Sequence, residues 1–256
     1  MLAREDPRVR EYVLKLVAPN IGSDLVAAVE AAWNLGITDA TKVIGEREPK
    51  GLVGRTAPTA IVDAALGVTR AVADHIADAR KLARVGADPA VVLSKVFAAD
   101  NTLAREVTSI VNRAGNAGAT AVADAVGKPT VWISEVNACV TCLAYSGVVA
   151  KPGKAFPAGL TYGKTSTVDE PVDYPPAHPH CRCTVEPLSD QSFADALRRE
   201  SDRSVLRGFS LASEPMSVRI AAAERLLAKG VVAPKSVKKY AADAVKRGEF
   251  TTRGRP

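Results

Sequence analysis

The chain has 256 residues, 47% hydrophobic and 24% charged, with a mean hydropathy near zero. These values suit a soluble globular protein of one large domain or two smaller ones and exclude a compositionally disordered chain. The net charge of +6 is uneven: from residue 234 onward seven Lys and Arg stand against two acids, a basic tail suited to DNA, to an acidic protein face or simply to solubility.

Aromatics make up only 5% of the chain while Ala and Val abound, so the core is expected to consist of small aliphatics, which favour close helix packing. Asp6-Pro7 reads as an N-cap followed by proline at the first helical position. Val9, Val13, Leu16 and Val17 follow at helical spacing, and Pro19 stops the run. Ser23 is the expected cap of a second helix with Leu25, Val26, Val29 and Trp33 on one face and Gly36 at its end. Residues 38–58, rich in glycine and charge, read as a loop or short arm.

A long helix is predicted from Thr59 through Ile61, Val62, Ala65, Val68, Val72, Ile76 and Ala79 to a stop at Gly86. Asp88-Pro89 then caps a short helix ending near Val96, and Asn101 caps a third long one carrying Leu103, Val107, Ile110, Val111, Ala114 and Val122. Gly115 and Gly118 lie inside it, where each costs roughly 1 kcal/mol relative to Ala. Close approach by another backbone is one expected return, and a helix that simply tolerates them is the alternative. After Gly127, Thr130-Val-Trp-Ile133 has the β-branched and aromatic texture of a strand. Residues 147–177 form a connection so long that it is expected to be functional or clamped, and Arg182 to Glu186 reads as a second strand able to pair with the first.

Helices return in the last quarter. Asp190 or Ser192 caps one with Phe193, Ala196, Leu197, Val205 and Leu206; Pro215 opens another closed by Gly230; Pro234 opens the last, closed by Gly248. The predicted fold is mostly α with a small β-element. It divides into an N-terminal helical arm and loop (1–58), a core with a Cys/His cluster (59–190) and a helical basic segment (191–256).

That cluster carries the chemistry. All four cysteines and two of the three histidines lie between positions 139 and 183. Cys139 and Cys142 are spaced so that both thiolates reach one ion from a tight turn. A second arm offers His178, His180, Cys181 and Cys183. Two donors from each arm would complete the tetrahedron of a structural zinc, which would staple the long loop between them. If Cys181 and Cys183 are both to ligate, a turn at Arg182 is expected; otherwise His178 or His180 replaces one of them. Free or transiently disulfide-linked thiols are the alternative.

The run Pro175-Pro-Ala-His178-Pro-His180-Cys181-Arg-Cys183, with Cys139-Val-Thr-Cys142 upstream after a Trp-bearing strand, resembles the signature of Mu-F-like head-morphogenesis proteins of tailed bacteriophages. Phe193-Ala-Asp-Ala-Leu-Arg-Arg is similar to the downstream segment of the family. The resemblance covers roughly residues 100–210. It implies a structural role rather than a reaction, as a low-copy minor capsid protein made in the host cytoplasm and residing inside the head near the portal vertex. Portal protein and major capsid protein are the implied partners, packaged DNA a further one through the basic tail, and no membrane is involved. Within the family's pattern His178 holds the recurring position and His180 a variable one, which favours His178 as ligand.

Other motifs fail on their own terms. Gly163-Lys164-Thr165 lacks the glycine five places earlier that a phosphate loop needs, where Ala158 stands, and reads as a turn. A zinc deaminase would require His-x-Glu and Pro-Cys-x-x-Cys, but Ile76-Ala77 follow His75 and Ala138 precedes Cys139. A Cys/His nucleophile lacks an evident orienting Asn or Asp, and no βαβ pattern frames a thioredoxin-like centre. His75 reads as a partly exposed surface histidine. No secretory signal opens the chain, and its longest uncharged run, 136–150, is too short to span a bilayer.

Overall fold

The computed structural model describes residues 21–251 apart from 46, 53, 136 and 210–213. The helix expected after Asp6-Pro7 and the last two arginines of the tail lie outside the described residues. Seven helices and one small sheet make up the rest: α1 (Ile21–Ile44), α2 (Thr59–Arg84), α3 (Pro89–Ala125), β1 (Thr130–Ile133), α4 (Val140–Tyr145), β2 (Val149–Ala150), β3 (Thr184–Pro187), α5 (Gln191–Leu206), α6 (Met216–Ala228) and α7 (Lys235–Arg247). The mostly helical architecture with a small β-element is as the pattern predicts. Among the described residues, no helix is long and apolar enough to cross a membrane.

Helices α1, α2 and α3 pack on one another, α1 lying chiefly along α3. Of the apolar positions predicted for α2, Ile61, Ala65, Val68, Val72, Ile76 and Ala79 are buried and Val62 is half-buried. Besides Ser23, which lies inside α1 rather than capping it, two helix boundaries differ from expectation. Gly36 does not end α1, which runs on to Ile44 because Ile37 and Ala40 are themselves buried. Gly36 instead sits where α1 crosses α3: a Cβ there would lie 2.0 Å from the Gly115 carbonyl oxygen, and one on Gly118 would lie 2.3 Å from that of Trp33. The close approach foreseen for the glycines of α3 thus has a third glycine as its counterpart.

The other difference is the helix break expected near Val96. Asp88 does cap the segment, accepting the Ala90 N–H at 2.7 Å, but α3 continues through Asn101 for 37 residues. Nothing between Pro89 and Gly115 breaks a helix, and Ala99 is buried within it. Asn101 is therefore an exposed mid-helix residue, and a cap signal inside an unbroken apolar period carries no boundary.

The sheet has the order β2-β1-β3. β3 pairs antiparallel with β1 in the register Ile133↔Thr184 through Thr130↔Pro187, and β2, which sequence texture did not mark, adds two residues to the other edge. Residues 182 and 183 stay outside the strand. Trp132 is fully buried behind the sheet, 4.9 Å from Tyr145 and edge-on to Phe156 at 5.2 Å.

Three C-terminal helices close the fold, with starts and stops as predicted: Asp190 caps α5, Pro215 and Pro234 precede α6 and α7, and Gly248 ends α7 at φ 77. The buried face of α5 is Ala194, Ser201, Val205 and Leu206, while Phe193 is exposed. The face expected through Phe193 and Ala196 is thus rotated.

Candidate metal centre

Antiparallel pairing brings the two cysteine arms together. β1 runs into the first arm and β3 leaves the second, so with Ile133 opposite Thr184 both arms emerge from the same end of the ladder. Asn137, at φ 65, turns the chain into Cys139. Cys139 then caps α4, its sulfur accepting the Cys142 N–H at 3.3 Å. At the other end of this short helix, α5 supplies the partners its last carbonyls need: Ser201 donates to Leu143 O at 2.5 Å and Arg198 to Ala144 O at 2.8 Å. α4 is buried along its whole length, so the Cys-x-x-Cys arm is rigidly placed.

The second arm is built on a turn. The Cys181 N–H donates to the His178 carbonyl at 3.1 Å, with Pro179 at the second position and His180 at the third in the left-handed region, φ 63. This is the pattern of a type II turn. It sets His178 and Cys181 at its two ends, facing the first arm. Cys183 follows two residues later. No turn at Arg182 is needed, contrary to expectation: residues two apart on extended backbone share a face. Cys181 and Cys183 are both buried while Arg182 is exposed, its Nε 2.6 Å from a Glu135 carboxylate oxygen.

The donor atoms fall into two overlapping triads, Cys139–Cys142–His178 and Cys142–Cys181–Cys183, each with all ligand atoms within 4.8 Å of one another. Cys142 belongs to both. Its sulfur lies 2.9 Å from His178 Nε2 and 3.6 Å from the Cys181 sulfur, and the Cys139 sulfur lies 3.2 Å from the same Nε2. A tetrahedral ion with sulfur at about 2.3 Å and nitrogen at about 2.0 Å sets its four ligand atoms roughly 3.5–3.8 Å apart; the Cys142–Cys181 separation fits this, and the two sulfur–imidazole separations are shorter and would open slightly around an ion. Together the side chains can hold one. His180, the other candidate, is exposed and joins neither triad.

The imidazole is already oriented for that role. His178 Nδ1 lies 2.9 Å from the Pro179 carbonyl. A carbonyl only accepts, so Nδ1 carries a proton and Nε2 faces the cluster, where its lone pair would serve an ion once the ring is neutral. Among the protein groups alone, hydrogen bonding from Cys142 holds the Cys139 thiol down at about 4 against its burial, with His178 adding to the effect. Hydrogen bonding to Cys139 in turn raises His178 to about 9, against the opposing effect of burial. Cys142 is pushed up by its bonds to Cys139, Cys181 and Cys183 and by burial. Some donors therefore ionise readily while others hold their protons, and binding a divalent ion would release those that remain.

Two asparagines that sequence reading passed over hold the second arm. Asn112 donates to the carbonyls of Cys181 and Cys183 at 3.2 and 3.1 Å. Asn116, one turn on, donates to Cys183 O and Pro175 O and accepts the Val185 N–H at 2.9 Å. Two amides at i and i+4 on an otherwise apolar helix face were the available signal, since a buried amide demands partners. Glu214, also unforeseen, accepts the Val140 N–H at 3.2 Å at the start of α4.

The loop between the arms has further anchors. Phe156 and Val172 pair through two backbone hydrogen bonds, Tyr145 donates to Pro157 O at 2.5 Å, and Tyr162 donates to Asp202 at 2.6 Å. The clamp expected on residues 147–177 is thus shared between apolar anchors and the cluster. Gly163-Lys164-Thr165 lies in this loop with no helix after it, in keeping with a turn. It lines a cleft of about 800 Å³ together with Arg105, Arg182 and the outward side of the cluster, Cys139 and His178.

Compared with protein-family models, curated proteins and solved structures, the chain matches none of them. The reading of the site therefore rests on its own geometry.

Proposed function

We propose that the chain is a minor head protein of a tailed bacteriophage, of the Mu-F-like kind, in which a structural zinc ion staples two arms of a largely helical body. The observation that carries this reading is the meeting of the two cysteine-bearing arms, 39 residues apart between Cys142 and Cys181, at one compact set of sulfur and imidazole donors. These are the very segments on which the resemblance stands. Zinc suits them because it takes thiolate and imidazole in a closed tetrahedron without redox demands. With most donors buried and the arms clamped by α3 and α5, the site resembles a fold-stabilising centre more than a catalytic one. Portal and major capsid proteins are its partners on this reading, in the head interior near the portal vertex, and no turnover is expected.

Quantitative mass spectrometry of particles from the source phage tests the role: a fixed, low ratio of this chain to portal subunits supports it, and absence from mature particles overturns it. Metal analysis of the purified chain tests the ion, one zinc per chain being expected.

A second reading has its own support. α7 leaves Lys235, Lys239, Lys246 and Arg247 exposed, a basic surface suited to the phosphate backbone of DNA. Deleting residues 234–256 would then flatten the salt dependence of DNA binding; an unchanged slope would rule this surface out.

A further inference from the structure

The five donors are not equally reachable. Cys142, Cys181 and Cys183 are buried, and Cys139 alone of the four cysteines is partly exposed. It opens onto the 800 Å³ cleft, whose walls also carry Cys181, Lys164 and Glu214 and the ion-paired Arg105 and Arg182. A partly exposed sulfur is where thiol chemistry begins. Cys142 stands on the same helical turn, its N–H bonded to the Cys139 sulfur at 3.3 Å, so a second thiol waits behind the first.

We infer that Cys139 is an oxidation site, its sulfur attacking hydrogen peroxide that enters the cleft, with Cys142 as the resolving thiol. In the first step the Cys139 sulfur takes the near oxygen of the peroxide. The O–O bond breaks, and the departing hydroxide takes a proton and leaves as water. In the second the Cys142 sulfur attacks the sulfenic sulfur of Cys139, an S–S bond forms, the S–O bond breaks and a second hydroxide leaves as water. Two thiols are oxidised by two electrons and one hydrogen peroxide is reduced to two waters, the two thiol protons completing them. The inference relies on the metal-holding reading for its consequence alone: the ion loses both donors of the first arm and is released.

The full-length chain, its zinc first counted, is treated with a small excess of hydrogen peroxide, while zinc release is followed with a chromogenic chelator and disulfides are mapped by mass spectrometry. In parallel, untreated protein is pulse-labelled with N-ethylmaleimide. Cys139 is expected to label roughly tenfold or more faster than the other three cysteines. The first disulfide is expected to be Cys139–Cys142, forming in step with zinc release and reversed by dithiothreitol. First reaction at Cys181 or Cys183, or an initial Cys142–Cys181 disulfide, overturns the inference. So does a Cys139→Ser variant that keeps its zinc yet loses it to peroxide at the wild-type rate. If that variant holds no zinc, the labelling order in the unmodified chain decides alone. A wild-type chain purified without zinc counts against the metal reading, and the labelling order still judges this one.

Discussion

The backbone N–H of Val185 donates to the side-chain oxygen of Asn116 at 2.9 Å, and that bond joins the longest helix to the strand leaving the last cysteine. The same amide donates to Cys183 O and Pro175 O from a side chain that is almost fully buried. Asn116→Ala leaves two carbonyls and one N–H buried without this partner. The expected cost is roughly 2–4 kcal/mol, read from denaturant unfolding. Because no donor atom is removed, weaker metal binding at full stoichiometry is expected from a metal titration. Unchanged affinity would show that the clamp and the cluster are independent.

At the α1–α3 crossing, Gly36→Ala sets a methyl against the Gly115 carbonyl, and the helices must separate. The loss is expected to reach about 2 kcal/mol or more, outweighing the roughly 1 kcal/mol that alanine adds to a helix. Gly67→Ala is the control. It lies within α2 with nothing within 4 Å of the added Cβ, and it is expected to be neutral or to raise stability by up to about 1 kcal/mol. Thermal or denaturant melts of the two variants should move in opposite directions.

Much of this was legible in sequence where one local rule acts without competition. The period of α2, the caps at Asp88 and Asp190, the glycine stop of α7 and the strand around Trp132 depend on residues next to each other in the chain. The cysteine arms were legible because metal-ligand spacing is local too. Gly36 was misread because its reason lies on another helix: a glycine with a partner backbone at van der Waals contact and a glycine that ends a helix look alike in one dimension. Asn112 and Asn116 went unnoticed for a similar cause, since their partners are carbonyls some 60–70 residues away. The rotated face of α5 follows from Gly147, where a Cβ would lie 2.3 Å from Ala194 O, a contact that no periodicity encodes.

Cys142 is the one donor shared by both triads, so Cys142→Ser should cost more metal than any other single cysteine change. Loss of the ion is expected in metal analysis, with new tryptic cleavage at Lys164 and Arg182, both exposed. Apolar anchors at Phe156 and Tyr162 should keep the remainder of the loop in place. A variant with wild-type metal content and protease resistance would remove Cys142 from the ligand set.

Metal affinity should rise with pH. A neutral imidazole is needed for ligation, and His178 keeps its proton up to about 9 because of its bond to Cys139. Below that value each ion bound must displace this proton as well as those that the Cys142 and Cys183 thiols hold, so apparent affinity is expected to climb by more than about tenfold per pH unit up to roughly pH 9 and less steeply above. Competition against a chelator at a series of pH values measures the slope. A slope that does not lessen near pH 9 would exclude His178 as a ligand.

The left-handed backbone at His180 has a consequence for drift in related sequences. Its side chain is exposed and joins neither donor triad, so its chemistry is free to change. Its φ of 63 is not. Glycine or asparagine should be accepted there, while valine or isoleucine would strain the turn that aims His178 and Cys181. Selection for the metal centre would then leave its record at a residue that never touches the ion.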